Sequence, residues 1–145
     1  MNYARLVAAA VAGTLVDAIY GFVVYGTLLS SEFGRYPAVY RPNNAPPVFL
    51  GTMFVGILVA MLFATAIYHK GYEGRGSGVA EGIRFGILLG LFVGVLFASI
   101  SYGTVQIGRR LVVMMVAAGV VEWTLVGAAI GAIYRPATVP RHATV

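Results

Sequence analysis

Asp17 and Glu122 are each embedded in a long apolar run. Asp17 follows Arg5 by twelve residues, and Glu122 follows Arg110 by twelve and precedes Arg135 by thirteen. If those runs are helices, a rise of 1.5 Å per residue puts both carboxyls roughly 18 Å from the flanking arginines, near the middle of a bilayer. An acid at that depth costs at least ~2.5–3.5 kcal/mol on insertion scales, which makes each one a candidate site by default. Small residues surround both. Gly13 and Gly21 flank Asp17 at four residues on either side, and Ala118, Gly119 and Val126 share the face of Glu122, so both carboxyls are expected at close helix contacts rather than in lipid.

Three kinds of chemistry fit such a pair. If the acids approach one another, one holds a proton at neutral pH, and the pair can pass protons or bind a cation. A carboxyl–carboxylate hydrogen bond could instead fasten the first and last spans together. A carboxylate could also serve as axial oxygen donor to a chlorophyll-type magnesium, because hard cations favour oxygen. Other chemistry finds no anchor. The chain has no cysteine, so thiolate metal sites and Cys nucleophiles are excluded, and His69 and His142 are too far apart for any metal-ligand spacing. No metal site is expected. Ser99 and Ser101 have neither a nearby histidine in sequence nor a Gly-x-Ser-x-Gly context, so the chain is not expected to be an enzyme. Gly71–Gly78 is glycine-rich but lacks the preceding strand and the Lys-Ser/Thr ending of a phosphate-cradling loop.

The elements that must position the acids are four apolar runs: 6–29, 48–68, 83–102 and 111–134. Each is long enough to cross ~30 Å of hydrocarbon as a helix, and none alternates with the period of a barrel strand. Helices also satisfy their own backbone, as lipid requires. The whole chain agrees with that reading: 59% of its 145 residues are hydrophobic and 10% charged, with mean hydropathy +0.86. Soluble domains carry roughly 25% charge. The expected fold is therefore an all-α integral membrane protein, one transmembrane domain over 1–145, built as a four-transmembrane-helix bundle of two tandem hairpins. The first run exceeds a signal-peptide core and is read as a retained span. Tyr3, Tyr68, Tyr72, Tyr102 and Tyr134 fall at span ends, the place of an aromatic belt.

Small residues recur at four-residue spacing, most strictly on the third span at Gly82, Gly86, Gly90, Gly94 and Ala98, and more loosely at Gly13 and Gly21, at Gly56, Ala60 and Ala64, and at Gly127 and Gly131. Such faces let helix backbones approach closely, which is how helices associate in lipid. A face of this kind packs inside the bundle, against another transmembrane subunit or a second copy, or against a bound lipid, quinone or chlorophyll-type pigment. The shared small-residue spacing of spans one and three, with Ile67-Tyr68-His69 against Ile133-Tyr134-Arg135, suggests a parallel two-hairpin repeat.

Arg5, Lys70, Arg75, Arg84, Arg135 and Arg141 lie toward the side of the termini, and Arg35, Arg41, Arg109 and Arg110 toward the other. That asymmetry predicts both termini in the cytoplasm, in a bacterial inner membrane. The net charge of +5 is spread over span ends, a pattern suited to anionic lipid headgroups rather than nucleic acid. The 30–47 loop, with three Pro-containing elements, is expected to be stiff; with Phe33, Arg35, Tyr36, Tyr40 and Arg41 it could pack on the bundle mouth or on a neighbour, or equally be a plain surface connection.

In Asp17 and its span count, the chain resembles small multidrug resistance transporters, and that resemblance implies a first-span acid that exchanges protons for cationic drugs. It departs from them in its Asp, its second acid Glu122, its greater length and its proline-rich loop. Two functions follow. The first is a small non-catalytic accessory subunit of a larger respiratory or photosynthetic membrane complex. The second is a small proton-coupled or cation transporter working through Asp17 and Glu122.

Overall fold

A computed structural model describes residues 2–42, 46–74 and 77–134. Arg75, Arg135, Arg141, His142 and the Asn43-Asn44-Ala45 stretch of the loop lie outside the described residues.

Four helices are long and apolar enough to cross a membrane: Tyr3–Leu28, Pro47–Gly71, Gly78–Thr104 and Arg109–Ile133. Local chemistry sets their starts. Asn2 caps α1 (Tyr3–Val23) by accepting from the Arg5 amide at 3.1 Å. α3 (Pro47–Gly71) begins on a proline, whose missing N–H is no loss in a first turn. Ser77 caps α4 (Gly78–Thr104) by accepting from the Ala80 amide at 3.2 Å. α5 (Arg109–Ile133) begins after Gly108. The helices outrun the apolar runs by a few residues where such caps carry the chain on.

Span one does not stay α-helical. After Val23 it widens into a π turn, Val24–Leu28, in which the Leu29 amide donates to the Val24 carbonyl at 2.8 Å. A one-turn helix, α2 (Ser30–Phe33), then leads into the loop.

Packing runs in a row: α4 lies on α5, α5 on α1, and α1 on α3. The core is shared by the last three, with Ala9 and Ala10 of α1, Met61 and Ala64 of α3, and Val126 and Ile130 of α5 all buried. α3 closes back toward α4 only at the end carrying the N-terminus, here the turn end. There the Tyr68 ring lies 5.5 Å from that of Phe85, and its hydroxyl donates to the Gly78 carbonyl at 3.0 Å. Toward the opposite, loop end, α3 stands away: every residue from Pro47 to Gly56 is exposed.

The α4–α5 contact is of another kind. A Cβ on Gly82 would fall on the Gly127 carbonyl oxygen, one on Gly86 on that of Trp123, and one on Gly131 on that of Gly78. Only hydrogen fits there. Gly90 faces Trp123 and Val120 almost as closely, and Gly94 rests at ordinary distance from Val116. Of the other spaced glycines, Gly13 faces the side chains of Met61, Val126 and Ile130, Gly21 meets only its own Tyr25, and Gly56 has open space around it. The two hairpins thus pack differently despite their similar spacing: the second by backbone contact, the first through side chains.

Tyr3 and Tyr102 are exposed as belt residues should be, but Tyr68 and Tyr134 are each 2% exposed. These two turn inward because their hydroxyls have internal partners: Gly78 for Tyr68, and His69 Nδ1, at 3.2 Å, for Tyr134.

Candidate functional site

Glu122 faces into the bundle from the middle of α5 and is 8% exposed. Its Oε2 accepts a 2.9 Å hydrogen bond from the Tyr25 hydroxyl. Tyr25 belongs to the π turn, which adds a residue to the helical circuit and so re-aims the side chains that follow it. Side chains hold that turn: the Thr27 hydroxyl donates to the Val23 carbonyl, and Ser30 Oγ donates to the Thr27 carbonyl at 2.8 Å. Just below, the Tyr20 hydroxyl donates to the Ala118 carbonyl at 2.9 Å. Two tyrosines of span one therefore grip α5 on either side of one helical turn.

Asp17, one turn before Tyr20, is half-buried. It belongs to α1, which packs on α5, the helix that carries Glu122. The hydrogen bond recorded at Glu122 goes to Tyr25 and not to Asp17. Among the described residues neither acid forms an ion pair, and no group of three metal-ligating side chains occurs.

Glu122 and Tyr25 open onto a cleft of about 290 Å³. Phe33, Phe97, Met115 and Trp123 wall it, and Gly94 and Gly119 leave it room. A carboxylate bordered by aromatic faces attracts cations, since ring quadrupoles and carboxylate act with the same sign. With Oε2 held by Tyr25, Oε1 is the atom left to take a proton or a ligand.

The loop covers the outer side of this cleft. Tyr20, Tyr25, Phe33 and Tyr40 follow one another edge to face, with centroid separations of 6.1, 6.3 and 4.8 Å. Glu32, 6% exposed, binds Arg110 at 3.0 Å and Arg35 at 3.3 Å. The Tyr36 hydroxyl accepts from the Gly108 amide at 3.0 Å, and the Tyr40 hydroxyl reaches the Met115 sulfur at 3.8 Å. The loop is thus tied to the mouth of the bundle at the start of α5.

Reading the residues in order located Asp17 and Glu122 but missed Tyr20, Tyr25 and Glu32. For the tyrosines a signal existed: a hydroxyl well inside an apolar run must find a partner, because lipid offers none. Glu32, a lone acid in the loop, carried no such signal. Gly82, Gly86 and Gly90, read as a packing or partner face, are covered by α5 of the same chain. The chain matches no family model, no curated protein and no solved structure.

Proposed function

We propose that this chain is a small, non-catalytic, proton-coupled cation carrier in which Glu122 is the exchanging group. The observation that carries the reading is a deeply placed carboxyl with no cation partner among the described residues, held at Oε2 by Tyr25 and lining an aromatic cleft. Asp17 stands on α1, the helix packed against α5. Two ionised acids within the spans are costly, so in this reading the bundle is stable with a proton or a cation on them and unstable with neither. Proton and cation then compete for Oε1, which is the elementary step of exchange.

In this reading the protein resides in a bacterial inner membrane with both termini cytoplasmic, as the arginine and lysine distribution favours. The turn end, stoppered by Tyr68 and Tyr134, faces the cytoplasm, and the loop end faces out.

The test is vesicles containing the purified protein and an internal pH-sensitive dye, challenged with sodium, potassium and alkylammonium salts. At least one cation should drive proton movement above that of protein-free vesicles, and Glu122→Gln should abolish it. If no cation moves protons in the wild type, the carrier reading is overturned.

A second reading, the accessory subunit of a respiratory or photosynthetic complex, is favoured by a different observation. The stretch from Pro47 to Gly56 is exposed on every side, which suits a helix that a foreign subunit or a second copy covers. Native electrophoresis of gently extracted membranes tests it: co-migration with a large coloured or redox-active assembly supports it, and migration as a small colourless species removes it.

A further inference from the structure

At the loop end, the gap left by the free half of α3 forms a second cleft, of about 750 Å³, bounded by Met53 on one side and by Tyr25, Phe33, Pro37 and Tyr40 on the other. Tyr25 and Phe33 also wall the Glu122 cleft, so the two clefts meet at those rings. The lining is mostly apolar and aromatic, and the α3 stretch around Met53, Pro47–Gly56, is exposed. In a bilayer such a stretch meets acyl chains.

Arg41 stands at its rim. Its guanidinium carbon lies 3.6 Å from the centre of the Phe49 ring, which holds the charge beside the first turn of α3, the end of a helix that carries partial positive charge. Of the other charges at this end, Arg110 and Arg35 both engage Glu32, and Arg109 borders a separate cleft with Ser99 and Tyr102. Among the described residues Arg41 forms no ion pair. The loop end, with Arg35, Arg41, Arg109 and Arg110 against Glu32, has a surplus of positive charge. An apolar cleft with a cation in its lining complements an anionic amphiphile.

We propose that this cleft binds an anionic phospholipid, with one acyl chain between α3 and the loop and the phosphate on Arg41. The phosphate position on Arg41 is distinct from the cation position at Glu122, because its charge has the opposite sign, although the two clefts share Tyr25 and Phe33. One basic residue near an anionic headgroup gives about a fivefold preference over a zwitterionic one.

The experiment titrates delipidated protein in neutral detergent with phosphatidylglycerol or phosphatidylcholine of identical chains, read by native mass spectrometry. Wild type should prefer phosphatidylglycerol about fivefold; Arg41→Gln should level the two lipids, Arg41→Lys should keep the preference, and Arg109→Gln should leave it unchanged. Met53→Trp, which fills the slot, should weaken both lipids. Trp123, the single tryptophan, lines the adjoining Glu122 cleft, which shares Tyr25 and Phe33 with this one, and gives a second readout: chain-brominated phosphatidylglycerol should quench it more than brominated phosphatidylcholine, and Arg41→Gln should remove the difference. A wild type without preference, or an Arg41→Gln variant that keeps it in both measurements, overturns the proposal.

Discussion

The bond between Tyr25 and Glu122 joins a span-one hydroxyl to a span-four carboxyl at the wall of the cleft, so its removal should be felt twice. Tyr25→Phe deletes a hydrogen bond to a charged or chargeable group, worth about 1.5–3 kcal/mol, and the melting temperature in detergent should drop accordingly. It also frees Oε2, so any cation-driven proton movement should change in rate where Glu122→Gln stops it. The glycines offer a sharper contrast. Gly86→Leu must push α4 off the Trp123 carbonyl and should destabilise by at least ~1–3 kcal/mol, whereas Gly56→Leu adds a side chain to open space and should leave the melting temperature near wild type. Tyr40 supplies a pH test outside the spans. Burial, and secondarily the neighbouring Tyr36, hold its phenol above the ordinary tyrosine value. A group raised in this way contributes stability that is complete below its unfolded value and is lost as pH rises through the folded one. Melting temperatures should therefore fall above about pH 10, and Tyr40→Phe should flatten part of that fall. The acids were legible in the sequence because charge inside an apolar run stands out. Tyr25 was not, because its direction depends on a π turn that no residue spacing announces.

At the level of elements, the four spans were legible from length and hydropathy alone, and their order of packing was not. Periodic small residues mark where backbones can approach; they do not say which helix fills the space. Gly82 and Gly86 found Gly127 and Trp123 of the adjoining helix, while Gly21 with the same spacing found only Tyr25. The loop was read as stiff from its prolines, and its attachment rests on Glu32, Tyr36 and Tyr40. Glu32→Gln should loosen it. Both arginine partners are mostly exposed, so the cost in global stability should be at most about 1 kcal/mol. Hydrogen exchange at residues 30–40 should nonetheless accelerate while α4 and α5 keep wild-type protection.

For the molecule as a whole, the exposed first half of α3 separates the functional readings. A spin label at Val55, 64% exposed, should be mobile and oxygen-accessible in the purified protein. If a foreign subunit covers this stretch in native membranes, the same label should be immobilised there; if the carrier reading holds, its mobility should match that of the purified protein. The glycine contact between α4 and α5 also determines what such a carrier could move. Two helices whose carbonyls sit in one another's missing side chains can neither slide nor roll without first coming apart, so this pair behaves as a stator. Glu122 is mounted on the stator, while Asp17 on α1 and Tyr25 on the π turn after it belong to span one, which meets the stator through ordinary side chains. Any swing that opened the site to one side and then the other would have to stretch the Tyr25–Glu122 bond at each stroke, and protonation of one carboxyl would set how readily the rotor turns.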